Sequence, residues 1–146
     1  MYNYQHILIA TDSCEVDTPV FQRAMVIYDW CKPKVTIMHI LENAPADIPA
    51  DVAPPEGEDK FGWMKDKAFQ TLKENCVKLA IHDINLMVEL GLAKPAIVDA
   101  AKSLGVDLII VGAHERHGLA VLTPSTTDGI IHAAPCDVLA VHSEKH

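Results

Sequence analysis

The 146-residue chain predicts a doubly wound α/β fold, a parallel sheet with helices on both faces. Three observations carry this expectation. Short, nearly continuous apolar runs recur at His6–Ala10, Val35–Ile40 and Asp107–Val111, as in strands covered on both faces. The segments between strands repeat apolar residues at helical spacing. Each is also long enough for a right-handed crossover between parallel strands, so strand and helix alternate through five strands.

The first strand, His6-Ile7-Leu8-Ile9-Ala10, ends at the turn-forming trio Thr11-Asp12-Ser13. Thr18 is suited to be an N-cap with Pro19 at the first helical position, since the missing N–H of proline is not needed there. Val20, Ala24, Ile27 and Cys31 then form an apolar stripe, and Pro33 stops the helix. The second strand is Val35–Ile40.

Residues 43–60 have a different texture, with Pro45, Pro49, Pro54, Pro55 and Gly57 among Asp47, Asp51, Glu56, Glu58 and Asp59. Such a composition cannot pack a core and predicts a mobile loop. It reads as a tolerated surface insertion or, because it leaves the carboxyl end of a strand, as a lid over a ligand.

Helical periodicity resumes from Phe61 to His82, with Met64, Ala68, Leu72, Cys76 and Leu79 on one side. Asn85–Glu89 is a third strand whose polar content places it toward the sheet edge. Pro95 opens another helix, with Ile97, Ala100, Ala101 and Leu104 as its stripe and Gly105 as its terminator. Asp107–Val111, a helix over Pro124–Ala133 and a final strand Asp137–His142 complete the chain.

Composition narrows the function. A hydrophobic fraction of 49% marks a globular chain, expected to be one domain over residues 1–146. The net charge is −8 and the 12 Lys and Arg are scattered, which disfavours nucleic acid as a partner. No apolar run approaches the ~20 residues that span a bilayer, and the N-terminus lacks signal-peptide character, so no membrane partner and a cytoplasmic location are expected. Cys14, Cys31, Cys76 and Cys136 form no C-x-x-C pair and read as free, mostly buried thiols. The chain has no G-x-x-x-x-G-K-[ST], no G-x-G-x-x-G and no G-x-S-x-G, so no catalytic residues are assigned and an enzyme is not expected.

The informative stretch is Val106-Asp107-Leu108-Ile109-Ile110-Val111-Gly112 and the loop that leads to Ser125-Thr126-Thr127. A strand that stops at a glycine beside a helix N-terminus can hold an anion, because exposed N–H groups and the helix dipole point to one spot. Ser125, Thr126 and Thr127 read equally as phosphate donors or as helix caps. His114-x-x-His117 invites a metal, but no further Cys or His cluster completes a tetrahedral set, so no metal is predicted.

These residues resemble the universal stress protein family over essentially the whole chain. His6-Ile7-Leu8-Ile9-Ala10-Thr11-Asp12 is similar to the family's "ILVAxD" opening, and Val35-Thr36-Ile37-Met38-His39-Ile40 to its "LxLLHV" second strand. Val106–Gly112, then His117-Gly118-Leu119, then His132-Ala133-Ala134-Pro135-Cys136-Asp137-Val138-Leu139-Ala140-Val141, resemble its "DLIVMGxxGxxGL…xxxAPCPVLVV" ending.

The resemblance implies a Rossmann-like sheet of strand order 3-2-1-4-5 and a stress-response role. It also implies a homodimer paired through the last strand, at Val138, Leu139, Ala140 and Val141. One branch of the family binds ATP or related adenine nucleotides through G-x-x-G-x9-G-S/T, and another branch does not. Gly112 matches the first glycine, Glu115 stands at the second, and Ser125 at the third, followed by Thr126 where the hydroxyl belongs. A phosphate about 4–5 Å from the Glu115 carboxylate would be repelled by roughly 3–4 kcal/mol at an effective dielectric near 20. Gly118 could supply the flexibility lost at Glu115. By the same resemblance, Asp12 would lie near the ribose or adenine, and Ile40 would meet the adenine ring through its backbone. Two functions follow: a module that binds ATP, ADP or AMP without defined turnover, or a dimeric interaction protein that binds no nucleotide.

Overall fold

In a computed structural model the chain is described at residues 3–11, 13–41, 57, 59–112 and 124–142, with the side chains of 124 and 125 outside that description. The element order is β1 (His6–Thr11), α1 (Pro19–Cys31), β2 (Lys34–Leu41), α2 (Lys60–Cys76), β3 (Ile84–Leu90), α3 (Ala93–Leu104), β4 (Leu108–Gly112), α4 (Pro124–Ala133) and β5 (Asp137–Val141). All four strand pairings are parallel, and the sheet order is β3-β2-β1-β4-β5. The doubly wound fold and the 3-2-1-4-5 order are therefore those that the sequence and its family resemblance imply.

The continuous apolar runs are two alternating patterns laid over each other, one for each face. Leu8 and Ala10 of β1 join Met38, Ile40, Ile109 and Val111 against Ile97, Ala101 and Ile130 of α3 and α4. Ile7 and Ile9 join Val35, Ile37, Leu108 and Ile110 against Phe21, Ala24, Tyr28 and Leu72 of α1 and α2. Residues Ile7 to Ile9 are 0% exposed, which is why β1 tolerates no polar position between its ends. β3 is an edge strand, as its polar content predicts.

Four local expectations are corrected. The fully buried residues of α1 are Phe21, Ala24 and Tyr28; Val20 and Ile27 of the expected stripe pack half-buried beside them, and Cys31 is not part of that core. Tyr28 can be buried because its hydroxyl accepts the His82 N–H at 3.1 Å. The second helix begins at Lys60, capped by the Asp59 carboxylate on the Gly62 N–H at 2.8 Å, so residues 59 and 60 belong to the helix rather than to the loop. It ends at Cys76 and continues only as a 3-10 turn over Val77–Leu79, with Ala80 left-handed at φ 54, instead of reaching His82. Finally, α3 starts at Ala93 and Pro95 sits within its first turn, where a proline removes no intrahelical hydrogen bond.

Helix ends elsewhere follow the sequence. Thr18 caps α1 through the Phe21 N–H, and Gly105 ends α3 at φ 67 with its N–H on the Ala101 carbonyl. At the amino ends of the central strands, the Asp107 carboxylate accepts the Gln5 N–H at 2.9 Å and the His6 N–H at 3.0 Å. That clamp sets β1 against β4 from below. Residues 43–56 and 58, on which the loop and lid readings fall, lie outside the described residues.

Candidate functional site

β1 and β4 lie side by side but part company before their carboxyl ends. Their pairing runs from Ile7↔Leu108 to Ile9↔Ile110, whereas β1 stays in register with β2 up to Thr11↔His39 and β4 with β5 up to Gly112↔Val141. The chain leaves β1 toward β2 and leaves β4 toward β5, so the crevice between Thr11 and Gly112 is the topological switch point of the sheet. In open α/β sheets, ligands bind at that point.

Polar side chains are buried at these strand ends, in an otherwise apolar interior. Among the described residues the buried polar side chains are Thr36, His39 and Thr127, and two of the three are here. His39, 5% exposed, places Nδ1 3.3 Å from the Thr11 carbonyl, so that nitrogen donates. Thr127, also 5% exposed, donates its hydroxyl to the Gly112 carbonyl over 3.5 Å. Beside them the Thr11 hydroxyl donates to the Ser13 carbonyl at 3.1 Å and accepts the Ser13 N–H at 3.2 Å, and the Ser13 hydroxyl accepts the Glu15 N–H at 3.0 Å. The turn after β1 is thus shaped by its own hydroxyl groups, as Ser and Thr favour.

Of the residues the sequence assigns to a site, the structure brings three to these strand ends. Gly112 is the last residue of β4, Thr126 lies half-buried in the first turn of α4, and Ile40 stands one residue before the end of β2. The Ile40 side chain is 2% exposed and belongs to the core. Ser125 is in the same first turn, with its side chain outside the described residues. Asp12, Glu115 and Gly118 lie outside the described residues, as do His114 and His117. Thr127, read as a phosphate donor or a helix cap, is buried and turns its hydroxyl to the Gly112 carbonyl.

The end of α4 nearest Gly112 is its N-terminus, whose first N–H groups and dipole favour an anion. Asp128, in the second turn, pairs with His132 at 3.5 Å, but both side chains are more than two-thirds exposed, so the pair contributes little.

Nucleophilic chemistry finds no support in Cys14, Cys76 or Cys136. Burial pushes the Cys14 and Cys136 thiols up, and pushes Cys76 up to about 11 with Cys14 adding to it, so all three stay protonated at neutral pH. The described residues contain no group of three metal-ligating side chains, and no helix among them is long and apolar enough to cross a membrane.

Sequence reading passed over His39 and Asp107 as strand residues. The signal for His39 was a lone polar ring inside an apolar run, which must find a hydrogen-bond partner when buried. Asp107 carried no such signal, because an acidic residue before a strand is common at a surface.

A second feature lies at the opposite end of the sheet and along its edge. Tyr4, Ile27, Leu108, Asp137, Val138 and Leu139 line an open cavity of about 430 Å³, and the Tyr4 hydroxyl bonds the Asp137 carboxylate at 2.9 Å. Among the described residues β5 has a neighbour only on the β4 side, with Val138, Leu139 and Ala140 half-buried.

Comparison with known proteins adds four findings. The profile of the universal stress protein family matches residues 3–142. The chain is 34% identical over 142 residues to universal stress protein A homolog 2 of Coxiella burnetii, a match covering 97% of each chain. Among solved structures it is similar to the universal stress protein UspA from Lactobacillus plantarum, with TM-score 0.68, 22% identity, and 97% and 99% of the two chains covered. It is also similar to a universal stress protein solved in complex with cAMP, with TM-score 0.64, 19% identity, and 98% and 100% covered. At these identities the two structures speak for the fold.

Proposed function

We propose that this chain, which belongs to the universal stress protein family, binds an adenine nucleotide in the crevice between β1 and β4, without turning it over. The observation that carries the reading is the parting of β1 from β4 beyond Ile9↔Ile110, beside the N-terminus of α4. A separate support is the cAMP held by a protein of the same fold.

In this reading the phosphates lie between the end of β4 and the start of α4. Gly112 and Gly118 let backbone N–H groups approach, and Ser125 and Thr126 add donors at the positive end of the helix dipole. The nucleoside lies toward β1 and β2, with Asp12 near the ribose and the Ile40 backbone beside the adenine. ATP, ADP and AMP all fit this description. Glu115 opposes the phosphates, so affinity is modest.

The test uses the full chain as purified. After denaturation it should release adenine nucleotide on chromatography, millimolar ATP should raise its melting temperature, and Glu115→Gly should tighten binding. No released nucleotide, no thermal shift and no gain in Glu115→Gly together overturn the reading. The chain would then act as the other kind of family member, through protein contacts alone.

A second copy of the chain is proposed along β5. The half-buried Val138, Leu139 and Ala140 on an edge strand, continuous with the cavity beside Leu139, favour it. An edge with unpaired N–H and C=O groups is a template for a further strand, and a two-fold pairing would cover both copies at once.

A further inference from the structure

The two strand-end carbonyls that border the crevice, those of Thr11 and Gly112, each accept from a side chain that is 5% exposed: His39 from β2 and Thr127 from α4. We propose that Thr127, with His39 as its counterpart, is a positioning residue of the crevice. It ties the first turn of α4 to the last residue of β4 and so sets the spacing of the two parts that hold phosphate. The proposal rests on the nucleotide reading above.

The reasoning starts from where the sheet stops supplying partners. Up to Ile9↔Ile110 the ladder between β1 and β4 fixes both strands, and beyond it that constraint is gone. Each strand end then keeps a single ladder, β1 with β2 and β4 with β5, and the ladders no longer set the gap between the two ends. Burying a donor there has a cost of about 1–3 kcal/mol if it is left unsatisfied, so His39, at 3.3 Å, and Thr127, at 3.5 Å, each gain by keeping a carbonyl as partner.

Position gives these bonds their consequence. Thr11 precedes the turn that leads to Asp12, and Gly112 precedes the loop that leads back to α4. Thr127 reaches back over 15 residues of sequence to the very residue from which that loop departs. One hydroxyl therefore ties the start of α4 to the end of β4. Each bond also occupies a carbonyl oxygen, which lowers the negative charge those oxygens present to a bound phosphate.

A plainly structural role for Thr127 is the competing account, and Thr36 supplies the comparison. Thr36 is 0% exposed, and its hydroxyl meets His6 Nε2 at 2.7 Å near the amino ends of β1 and β2, away from the crevice. Thr36→Val and Thr127→Val each delete one buried hydroxyl with little change of shape.

The experiment is calorimetric titration of ATP and of AMP into the full chain and into Thr127→Val, Thr127→Ser and Thr36→Val, with melting curves for each. The expected result is about tenfold weaker binding in Thr127→Val and recovery to within about threefold in Thr127→Ser, which keeps the donor. Thr36→Val should melt lower yet bind as the parent does. If the parent binds and Thr127→Val binds equally well, the positioning role is overturned while the nucleotide reading stands. If the parent binds neither nucleotide, the reading itself falls, and the positioning role with it. Should Thr127→Val not fold, His39→Asn and His39→Leu carry the same contrast: Asn retains an N–H donor and should bind, Leu should not, and equal binding by both overturns the proposal.

Discussion

Removing the Asp107 carboxylate should destabilise the fold without touching the crevice. Its two oxygens accept the Gln5 N–H at 2.9 and 3.3 Å and the His6 N–H at 3.0 Å, while its own N–H donates to the His6 carbonyl at 3.0 Å. Hydrogen bonds to a charged acceptor contribute about 1.5–3 kcal/mol each where they are shielded. Gln5 is exposed and water can replace its partner, so its bond counts for the lower part of that range or less. His6 is half-buried and its bond counts for more. Asp107→Ala should therefore lose about 2–3 kcal/mol, and Asp107→Asn, which keeps one acceptor oxygen but no charge, about 1 kcal/mol. In a chain of this length the larger loss lowers the melting temperature by about 5–10 °C. Equilibrium unfolding in urea measures both variants, with the slope unchanged because the folded state exposes the same surface. Asp107 stands at the amino ends of the strands, so ATP affinity should stay at the parent value. A loss in Asp107→Ala below about 0.5 kcal/mol would show that the clamp does not hold β1 to β4.

Gly129 lies in α4, and a Cβ there would meet the Cδ of Lys94 at 3.0 Å and its Cε at 3.2 Å, atoms near the end of a flexible side chain. Lys94 can move aside, so Gly129→Ala should stabilise by about 0.5–1 kcal/mol through helix propensity, and a destabilised variant in urea would show that Lys94 is fixed. Burial first, then the positive Lys34, hold His6 below its ordinary value of 6.5. The unfolded chain then takes up this proton more readily, so stability from His6 is full above the unfolded value and is lost as pH falls below it toward the folded one. His6→Gln should flatten that part of a stability-against-pH curve, and an unaltered slope would contradict the assignment. For the proposed dimer, Val138→Asp places a charge on the β5 edge and should give monomers by light scattering, whereas an unchanged mass would move the interface elsewhere.

The architecture was legible because each strand announces itself twice. Ile7 and Ile9 satisfy one helical layer while Leu8 and Ala10 satisfy the other, and only a strand sandwiched between two layers needs that pattern. Helix termini were legible where a residue has one dominant physical use, as with Thr18, Pro19 and Gly105. They were not where an ordinary residue takes an unusual conformation. Ala80 is left-handed without being Gly or Asn, so nothing in its identity marks the end of the turn after α2. The stripe of α1 was only partly legible, because Phe21 and Tyr28 bury more than the Val20 and Ile27 that pack beside them, and spacing alone does not weigh size.

The candidate site was legible at its ends and not at its base. Gly112 and Thr126 could be singled out, since a glycine after a strand and a hydroxyl at a helix start each suit an anion. What holds them could not. The bond from Thr127 to Gly112 depends on α4 returning to the end of β4, and the contact of His39 with Thr11 depends on the β1–β2 register. Both are tertiary facts about residues that look unremarkable one at a time.

Photolabelling with an 8-azidoadenosine nucleotide, followed by mapping of the modified peptide, tests the crevice most directly. Label on the segments that end β1 or β2, residues 6–18 or 34–41, and its loss when unlabelled ATP competes, is the predicted result. No competable label, or label confined to the cavity around Tyr4 and Leu139, would contradict a nucleotide site between β1 and β4.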